Sequence, residues 1–524
     1  MTVSAPIAQE KTINRHLDPE PTVPADAGLR TAPPAPVGRG REAGPAVAVT
    51  VPAAAALALG LWGMDRQGSM WRDESVTYQV AHRPLGELWG LLGHIDAAHG
   101  LYYLLMHAVF SLWDGGLVAL RLPSTVATAV AAAGVGAIGG RLAGRRSGTL
   151  AGLVFALLPA TQQYAQEGRS YALVTAGVTW ATYFFVRGTG APRGSWWTAY
   201  ALTLGLACWL HEFAVLACAA HGLTLWRSRV PQKVWRCWAV AVAAAALMLL
   251  PLVVVSAGQA EQQLGWLGRP GLGSWAQYAA ISCAGAVLCR YLVRGREGAD
   301  PAGPAALVSL ALPLLIVPAG LLMALSLIKP WYVDRYVLYG LTGLSLSAGA
   351  ALDRAIGQRH RLTPAVRVLT ACLQAAVAVG VLLPWSLLIR SPESRKDNVV
   401  AVAHAVEKSA RQGDSVLFMP ARRREWLLSY PSVYHRVDDL ALADSPSKSR
   451  SLEGTELAPA VIRSRMLAAD RIVALTDPPG QPLDPFAQEE VKRRTLKDSF
   501  DVCRRTRVRG AQIVVYARKG HCGR

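Results

Sequence analysis

The sequence has few charged residues: Asp, Glu, Lys and Arg make up only 17% of its 524 positions, whereas hydrophobic residues make up 52%. This balance excludes an ordinary water-soluble protein of this length. The eight cysteines are scattered and lack paired Cys-x-x-Cys spacing, so neither a small disulfide-stabilised fold nor a zinc module is indicated. A nucleotide-binding phosphate loop is also missing from the sequence. What the chain does have, long apolar runs, indicates a membrane protein.

The apolar run 44–64 is about 20 residues long, which matches the roughly 30 Å hydrocarbon core of a bilayer at 1.5 Å per helical residue, and further apolar runs recur along most of the chain. The sequence therefore predicts a mainly α, polytopic membrane protein with about eleven transmembrane helices. The predicted spans are 44–64, 117–139, 149–162, 172–186, 196–210, 213–226, 238–257, 275–293, 305–328, 337–352 and 368–388. The stretch 101–113 is too short and too aromatic for a span, which favours juxtamembrane helices at the interface in a large first outer loop, 65–114.

The basic residues follow the predicted loops, because Lys and Arg accumulate on the cytoplasmic side of a membrane. With the N-terminus inside, every predicted inner loop is basic and the membrane-proximal carboxylates lie outside. The net charge of +19 then reports topology, and the sequence predicts no nucleic-acid partner. The outer carboxylates are Asp73, Glu74, Asp96, Glu167, Glu212, Glu261 and Asp334. We expect a multi-pass protein of the cell membrane.

Composition divides the chain into three regions. Residues 1–43 have no apolar period and predict a disordered cytoplasmic tail, with no cleavable signal before the first apolar run. Residues 44–390 form the predicted transmembrane module. Residues 391–524 have the composition of a soluble α/β domain, which an odd number of spans places outside the cell.

The outer domain has predicted elements of both kinds. The predicted strands are 415–419, 471–475 and 511–517, and 399–410 is a predicted amphipathic helix. Cys503 and Cys522 lie on either side of a predicted hairpin, in a compartment that permits a disulfide. The sequence does not decide whether these two cysteines pair.

A first candidate site is the segment from Trp71 to Tyr78, just outside the first span. Its two adjacent carboxylates, Asp73 and Glu74, allow two interpretations. Asp73 could cap a helix that begins near Glu74. Alternatively, a carboxylate at the membrane surface beside an apolar groove could take a proton in catalysis.

A second candidate site is the segment from Tyr164 to Tyr171 in the next outer loop. At helical spacing Tyr164, Glu167 and Tyr171 share one face, while Arg169 points elsewhere. A salt bridge that ends the helix is one interpretation. The other is an Arg169 that binds a phosphate, because a guanidinium presents a planar fork to the phosphate oxygens.

A third candidate site spans positions 328–336 at the outer end of the ninth predicted span. Lys329 and the aromatic side chains suit an interfacial belt. Arg335, which precedes Tyr336, is not explained by such a belt. A weaker candidate is a metal site formed by His94, Asp96 and His99. Another is the His211, Glu212 pair, for which helix capping is the preferred interpretation.

In this order and on one side of the membrane, the three segments resemble the C-type glycosyltransferase superfamily of integral membrane enzymes, which use lipid-linked sugars. The resemblance is to the protein O-mannosyltransferase and lipid A aminoarabinose transferase branch. It covers about residues 47–390 and is sharpest at Asp73 and Glu74, at 166–171 and at 334–336. In that superfamily the first outer loop carries the catalytic base.

The resemblance implies a role for each candidate residue. Asp73 would be the base, with Glu74 as second choice, and Glu167, Arg169 and Tyr171 would shape the sugar-phosphate pocket. The donor site would also include Arg335, Lys329, Tyr336 and His99, although family members often begin the interfacial helix with His-Pro-Pro where this chain has His99, Gly100 and Leu101. The Arg-Leu-Pro segment at Arg121 resembles a family segment and is interpreted as a structural boundary.

The implied activity is transfer of a sugar, with mannose favoured over a pentose, from a polyprenyl-phosphate donor to a hydroxyl group outside the cell, with inversion. The acceptor is a protein, a glycan or an exported natural product, and no cofactor and no metal are expected. A lipid or sugar transporter is the alternative, and a membrane scaffold is a third. Against transport, the ionisable residues gather at one face of the membrane instead of at its midplane.

Overall fold

The computed structural model describes residues 46–191, 193–265, 267–294, 304–358 and 363–522. The predicted tail at 1–43 lies outside these residues. Within the described residues, fifteen α-helices precede residue 389, and a helix occurs at each of the eleven predicted spans. These helices are α1 Val47–Leu61, α2 Arg72–Ala81, α3 Leu85–Leu92, α4 Gly100–Leu112, α5 Gly116–Ala143, α6 Arg145–Leu157, α7 Pro159–Ala165, α8 Tyr171–Gly190, α9 Gly194–Leu210, α10 Ala217–Arg227, α11 Gln232–Leu264, α12 Leu272–Val293, α13 Pro304–Leu325, α14 Leu341–Gln358 and α15 Pro364–Leu388.

Five helices of the described chain are long and apolar enough to cross a membrane. They are Gly116–Ala143, Gln232–Glu261, Leu272–Val293, Pro304–Leu325 and Pro364–Leu388. With these helices the chain is a multi-pass membrane protein. The count of about eleven spans stays a prediction, because the other helices at predicted spans do not meet both criteria.

Two predicted spans are interrupted in the structure. The predicted span at 149–162 divides into α6 and α7 at Leu158, which is extended (φ −58°, ψ 132°) because the ring of Pro159 disfavours helical backbone in the preceding residue. The span predicted at 337–352 begins as a 3₁₀ turn, Asp334–Gly340, before α14. Both interruptions lie beside predicted site residues.

The helices approach closely where side chains are small. A Cβ on Gly136 of α5 would lie 1.8 Å from the Ala48 carbonyl oxygen of α1, and one on Gly148 of α6 would lie 2.4 Å from the Gly136 carbonyl oxygen. Small residues allow membrane helices to pack backbone to backbone. By contrast, large apolar side chains of α11, α12 and α15 are exposed, as expected for helices that face lipid.

The interfacial helix predicted at 101–113 is α4. Tyr102 and Tyr103 are buried on its inner face, whereas Trp113 at its end is half exposed. This helix therefore contributes side chains to the protein interior as well as an aromatic residue at its surface.

The chain after α15 contains strands, as predicted. A five-stranded sheet has the order β2-β1-β5-β7-β6, with β1 parallel to β2 and β5, and with β7 antiparallel to β5 and β6. In register, Val473 of β5 lies opposite Val416 on one side and Val515 on the other. The strands are β1 Ser415–Met419, β2 Asp438–Asp439, β3 Leu442–Asp444, β4 Thr455–Glu456, β5 Arg471–Thr476, β6 Phe500–Val508 and β7 Ala511–Arg518. The three predicted strands are confirmed as β1, β5 and β7.

Helices cover both faces of the sheet. One face packs against α16, which confirms the predicted amphipathic helix, and the other packs against α20 and α21. The helices of this region are α16 Val399–Ser409, α17 Arg424–Leu428, α18 Pro431–Tyr434, α19 Pro446–Ser449, α20 Pro459–Ala468 and α21 Ala487–Ser499. Cys503 and Cys522 form a disulfide beside the β6–β7 hairpin, which decides the pairing that the sequence left open.

Candidate active site

The adjacent carboxylates Asp73 and Glu74 lie in different surroundings. Glu74, at the third position of α2, is fully buried and accepts a hydrogen bond from the Trp71 N–H at the helix start (3.5 Å). Two nitrogen atoms of Arg121 donate to its carboxylate at 2.7 Å each, and the Gly168 N–H donates at 2.9 Å. Burial alone would raise the pKa of Glu74, but Arg121 and Arg66 lower it to about 2. Glu74 is thus ionised at neutral pH and is held by its arginine partners.

Asp73 has a far less restrained side chain. Its carboxylate is 28% exposed, and its ion pair is with Arg335, whose Nη2 lies 3.6 Å from Oδ2. The helix start that the sequence ascribed to Asp73 is completed instead by Glu74. Of the two predicted bases, Asp73 has an exposed carboxylate, whereas the carboxylate of Glu74 is enclosed.

Arg335 lies at the centre of an aromatic cluster. Its Nε donates to the Tyr171 hydroxyl (3.1 Å), and its guanidinium carbon lies 5.8 Å from the Trp71 ring centroid, 5.5 Å from that of Tyr171 and 5.7 Å from that of Tyr336. Cation–π contacts of this length hold a guanidinium without neutralising it. The Arg335 guanidinium therefore keeps its positive charge, which faces Asp73.

The segment Gln166 to Ser170, which we call the donor loop, is a turn and not a helix. Because α7 ends at Ala165 and α8 begins at Tyr171, the helical spacing used for this segment was wrong. Arg169 is buried and directs its guanidinium to the Thr77 hydroxyl (3.3 Å) and the Tyr103 hydroxyl (3.4 Å). Arg169 therefore faces α2 and α4, on the same side as the other candidates.

Glu167 in the donor loop is buried and already paired. Its Oε2 lies 2.7 Å from Nη2 of Arg395, which follows α15 in the chain. Its other carboxylate oxygen is buried without a hydrogen-bond partner among the described residues. Glu167 thus fixes the loop against a distant segment and keeps one free acceptor atom.

Two histidines, the buried His211 and the partly buried His99, complete the inner wall of the cluster. The His99 and His211 ring centroids are 6.0 Å apart, and the His211 ring lies 4.3 Å from the Tyr336 ring. Burial, together with Arg169 and Arg335, lowers the pKa of His99 well below its usual range, so its ring is neutral. Both Nδ1 atoms are buried and unpartnered among the described residues, so they are available to a bound polar molecule.

The structure thus brings Asp73, Arg169, Tyr171, Arg335, Tyr336 and His99 into one cluster. Lys329 is exposed after α13, and no side-chain contact links it to this cluster within the described chain. Arg121 is fully buried against Glu74, which agrees with its interpretation as a structural residue.

Sequence reasoning missed two residues of this region. His211 was interpreted as a helix cap, and the only signal for it was its place at the outer end of a predicted span. Arg395 carried no signal, because its partner Glu167 lies 228 positions away.

The weak metal candidate around His99 has no support in the described chain. Within those residues, no group of three or more His, Cys, Asp or Glu side chains is placed to hold a metal ion. Asp96 accepts a short hydrogen bond from the Tyr103 hydroxyl. The expectation that no metal is needed stays a prediction.

Comparison with known proteins gives one family and several structures. Residues 100–256, which include the donor loop and His211, match the family model of dolichyl-phosphate-mannose-protein mannosyltransferases. No curated protein sequence matches significantly. The crystal structure of apo ArnT from Cupriavidus metallidurans superimposes with a TM-score of 0.55 at 15% identity, covering 89% of this chain and 97% of that one.

Two further structures are similar. ArnT bound to undecaprenyl phosphate superimposes with a TM-score of 0.52 at 14% identity and the same coverage. The Archaeoglobus fulgidus oligosaccharyltransferase gives a TM-score of 0.47 at 12% identity, over 83% of this chain and 70% of that one. The chain therefore has the fold of ArnT, and with the family match this confirms its resemblance to the C-type membrane glycosyltransferases.

Proposed function

We propose that this protein is a membrane glycosyltransferase that moves a sugar from a polyprenyl-phosphate donor to a hydroxyl acceptor on the extracytoplasmic side. The observation that carries the proposal is the pairing of the accessible carboxylate of Asp73 with Arg335, beside two histidines whose buried Nδ1 atoms have no hydrogen-bond partner among the described residues. The family match and the solved ArnT complex with undecaprenyl phosphate support a lipid-linked donor.

In the proposed reaction Asp73 is the general base. It accepts the proton of the acceptor hydroxyl while that oxygen attacks the anomeric carbon of the sugar. The bond between that carbon and the phosphate oxygen breaks, and its electron pair leaves with polyprenyl phosphate. A single displacement of this kind inverts the anomeric centre.

Two arginines would stabilise the leaving group. Negative charge grows on the phosphate as the glycosidic bond breaks, and a fixed cation in a water-poor site stabilises that charge strongly. Arg335 is held by aromatic rings and the Tyr171 hydroxyl, and Arg169 is held by Thr77 and Tyr103. Lys329, exposed after α13, receives no role in the transfer step.

The inner wall of the cluster, which includes His99 and His211, would bind the sugar. Neutral His99 and His211, with the hydroxyls of Tyr171 and Tyr336, offer donors and acceptors to sugar hydroxyls at short range. The free oxygen of Glu167 is a further acceptor in the donor loop. Mannose is the favoured sugar because of the family match, and a pentose such as arabinose is the alternative.

The proposed orientation has the N-terminus in the cytoplasm of the cell and the region after residue 390 outside, as the basic inner loops indicate. The proposed division into a transmembrane catalytic module, 44–390, and an outer α/β domain, 391–524, is supported by the strands, which among the described residues all lie in the second part. We propose that neither a cofactor nor a metal takes part.

Release of polyprenyl phosphate tests the proposal. Purified protein is incubated with a panel of polyprenyl-phosphate sugars and hydroxyl acceptors, and free lipid phosphate and glycosylated product are measured. Asp73→Asn should lower kcat by about 10³-fold, because general-base catalysis contributes on the order of 10² to 10⁴. Asp114→Asn, in the same loop and 51% exposed, is the matched control and should keep full activity.

Two outcomes would count against the proposal. Full activity of Asp73→Asn removes Asp73 from the mechanism. Failure of the wild-type protein with every lipid donor, together with movement of a lipid or sugar across vesicle membranes, would favour the transporter.

A further inference from the structure

Residues 395–399, which we call the clasp segment, connect the end of α15 to the helix α16 of the outer domain. They contact three separate parts of the molecule: the start of α2, the donor loop and the turn of the β6–β7 hairpin. The proposed transfer reaction assigns no role to this segment or to any residue after it.

At the start of α2 the clasp segment supplies a helix cap from a distant part of the chain. The backbone N–H of Arg72 donates to Oδ1 of Asp397 at 3.0 Å, across 325 positions of sequence. Two positions further along one segment and two positions earlier in the other, the Val399 N–H donates to the Met70 carbonyl oxygen at 2.7 Å. The first N–H groups of a helix have no partner within the helix, so an external acceptor fixes the first turn. Asp73 is the next residue of that turn.

At the donor loop the clasp segment supplies a buried cation. Arg395 Nη2 lies 2.7 Å from Oε2 of Glu167, and both side chains are less than 10% exposed. The Arg395 guanidinium also lies 5.7 Å from the centroid of the Trp71 ring. The same ring contacts the guanidinium of Arg335. A buried ion pair is strongly restrained because separation would leave an unpaired charge.

The hairpin turn holds the clasp segment in place. The Asn398 N–H donates to the Arg509 carbonyl oxygen (3.1 Å), and the Arg509 side chain donates to backbone carbonyls of Glu393 and Arg395. Gly510 has φ +85°, and a Cβ on it would lie 2.4 Å from the Asp397 Cβ. The sheet of the outer domain thus determines where Asp397 sits.

We propose that Asp397 is a positioning residue for the transfer reaction, and that the clasp segment aligns Asp73 and the donor loop through the docked outer domain. The inference rests on the proposed function, because it concerns the alignment of Asp73 with the donor. It gives the region after residue 390 a part in catalysis without any direct contact with substrate.

The first test compares two substitutions in the full chain. Asp397→Asn keeps an oxygen that accepts the Arg72 N–H, and Asp397→Ala does not. For the folded fraction, kcat of Asp397→Ala should fall by up to about a hundredfold while the donor KM stays nearly constant, because small misplacements act on the transition state. Asp397→Asn should recover most of the activity. Wild-type kcat in Asp397→Ala, or equal losses in both variants, would overturn the proposal.

The second test moves Asp397 without changing it. Gly510→Ala places a methyl group against Asp397, whereas Gly413→Ala has the same kind of backbone strain (φ +81°) with nothing within 4 Å. Only Gly510→Ala should lower kcat. Equal activity of the two variants would contradict the positioning role of Asp397.

Amide hydrogen exchange separates this inference from the proposed function. In Asp397→Ala the amides of residues 72–75 should exchange faster than in the wild type, with or without any donor present. If the wild type releases no polyprenyl phosphate, the proposed function fails. Amide exchange alone then tests whether Asp397 fixes the start of α2. Unchanged exchange would overturn the capping role of Asp397.

Discussion

At the scale of single residues, two adjacent carboxylates have opposite surroundings. Asp73 and Glu74 are both acidic and both lie in the first turn of α2, yet Asp73 is 28% exposed and pairs with Arg335, whereas Glu74 is enclosed by Arg121, Arg66 and Gly168. A carboxylate that is fully paired in the interior cannot collect a proton at neutral pH. The different surroundings of the two carboxylates are therefore set by the direction in which each side chain leaves the helix.

Glu74→Gln should destabilise the protein, whereas Asp73→Asn should not. Loss of one partner from a buried ion pair typically costs roughly 3 kcal/mol or more, because the arginines keep their charge. Thermal unfolding in detergent measures the difference. Equal unfolding midpoints for the two variants would contradict the structural role of Glu74.

Acid should weaken the wild type more than Glu74→Gln. Since the folded protein lowers the pKa of Glu74 from 4.5 to about 2, this carboxylate stabilises the fold above pH 4.5, and the contribution is lost as the pH falls from there toward 2. Unfolding midpoints measured between pH 7 and pH 3 test this sign. Parallel curves for wild type and variant would show that another group controls acid sensitivity.

At the scale of elements, three short irregularities assemble the site. The break at Pro159 lets the donor loop turn back, the 3₁₀ turn Asp334–Gly340 presents Arg335 before α14 begins, and α2 starts outside the first span. Regular helices would have carried these side chains around the helix axis at 100° steps. Helix ends provide fixed positions with backbone groups still free to bind.

Arg335→Ala should impair use of the donor more than use of the acceptor. The Arg335 guanidinium, which donates to Tyr171 and pairs with Asp73, is proposed to stabilise the phosphate of the donor. A hydrogen bond to a charged group contributes about 2 kcal/mol, so its loss should lower kcat/KM about thirtyfold. Arg335→Lys should be intermediate, because an ammonium group lacks the planar fork.

The control for this substitution is Arg146→Ala. Arg146 is 51% exposed and pairs with Asp353 at 3.1 Å, in a predicted inner loop. Kinetics over a range of donor concentrations and then of acceptor concentrations separates the two substrates. An unchanged donor KM and kcat in Arg335→Ala would argue against a phosphate contact.

At the scale of the whole molecule, the region after residue 390 packs directly against α2. Ser75 and Ser429 are hydrogen-bonded, Arg72 pairs with Glu425 at 3.4 Å, and Arg83 donates to the Ser451 carbonyl at 2.9 Å, so α2 lies under the outer domain along its length. This connection requires the region after residue 390 to lie on the same side of the membrane as Asp73.

Impermeant thiol labelling should therefore reach the outer domain from outside the cell. After reduction of the disulfide, a membrane-impermeant maleimide added to intact cells should modify Cys503 and Cys522. A Cys503→Ser, Cys522→Ser double variant serves as the control for labelling of the other cysteines. Labelling only after the membrane is opened would reverse the proposed orientation.

The sequence by itself determined the membrane class, the helix at each predicted span, the three strands and the three motif segments. These features depend on composition and on short-range periodicity, which a chain carries locally. Its errors were local too: the donor loop was treated as a helix because a turn after Ala165 leaves no periodic signal. The number of spans also stays a prediction, because hydropathy does not distinguish a short or broken helix from one that crosses the membrane.

Only the tertiary structure decided which carboxylate is accessible, that His211 joins the candidate site, and that Arg395 and Asp397 reach back to Glu167 and Arg72. Each of these depends on contacts between residues that are tens to hundreds of positions apart. Packing selects such contacts from many that the composition allows, and no local pattern records the choice. The chemistry of the residues was readable from the sequence, whereas their partners were fixed by the fold.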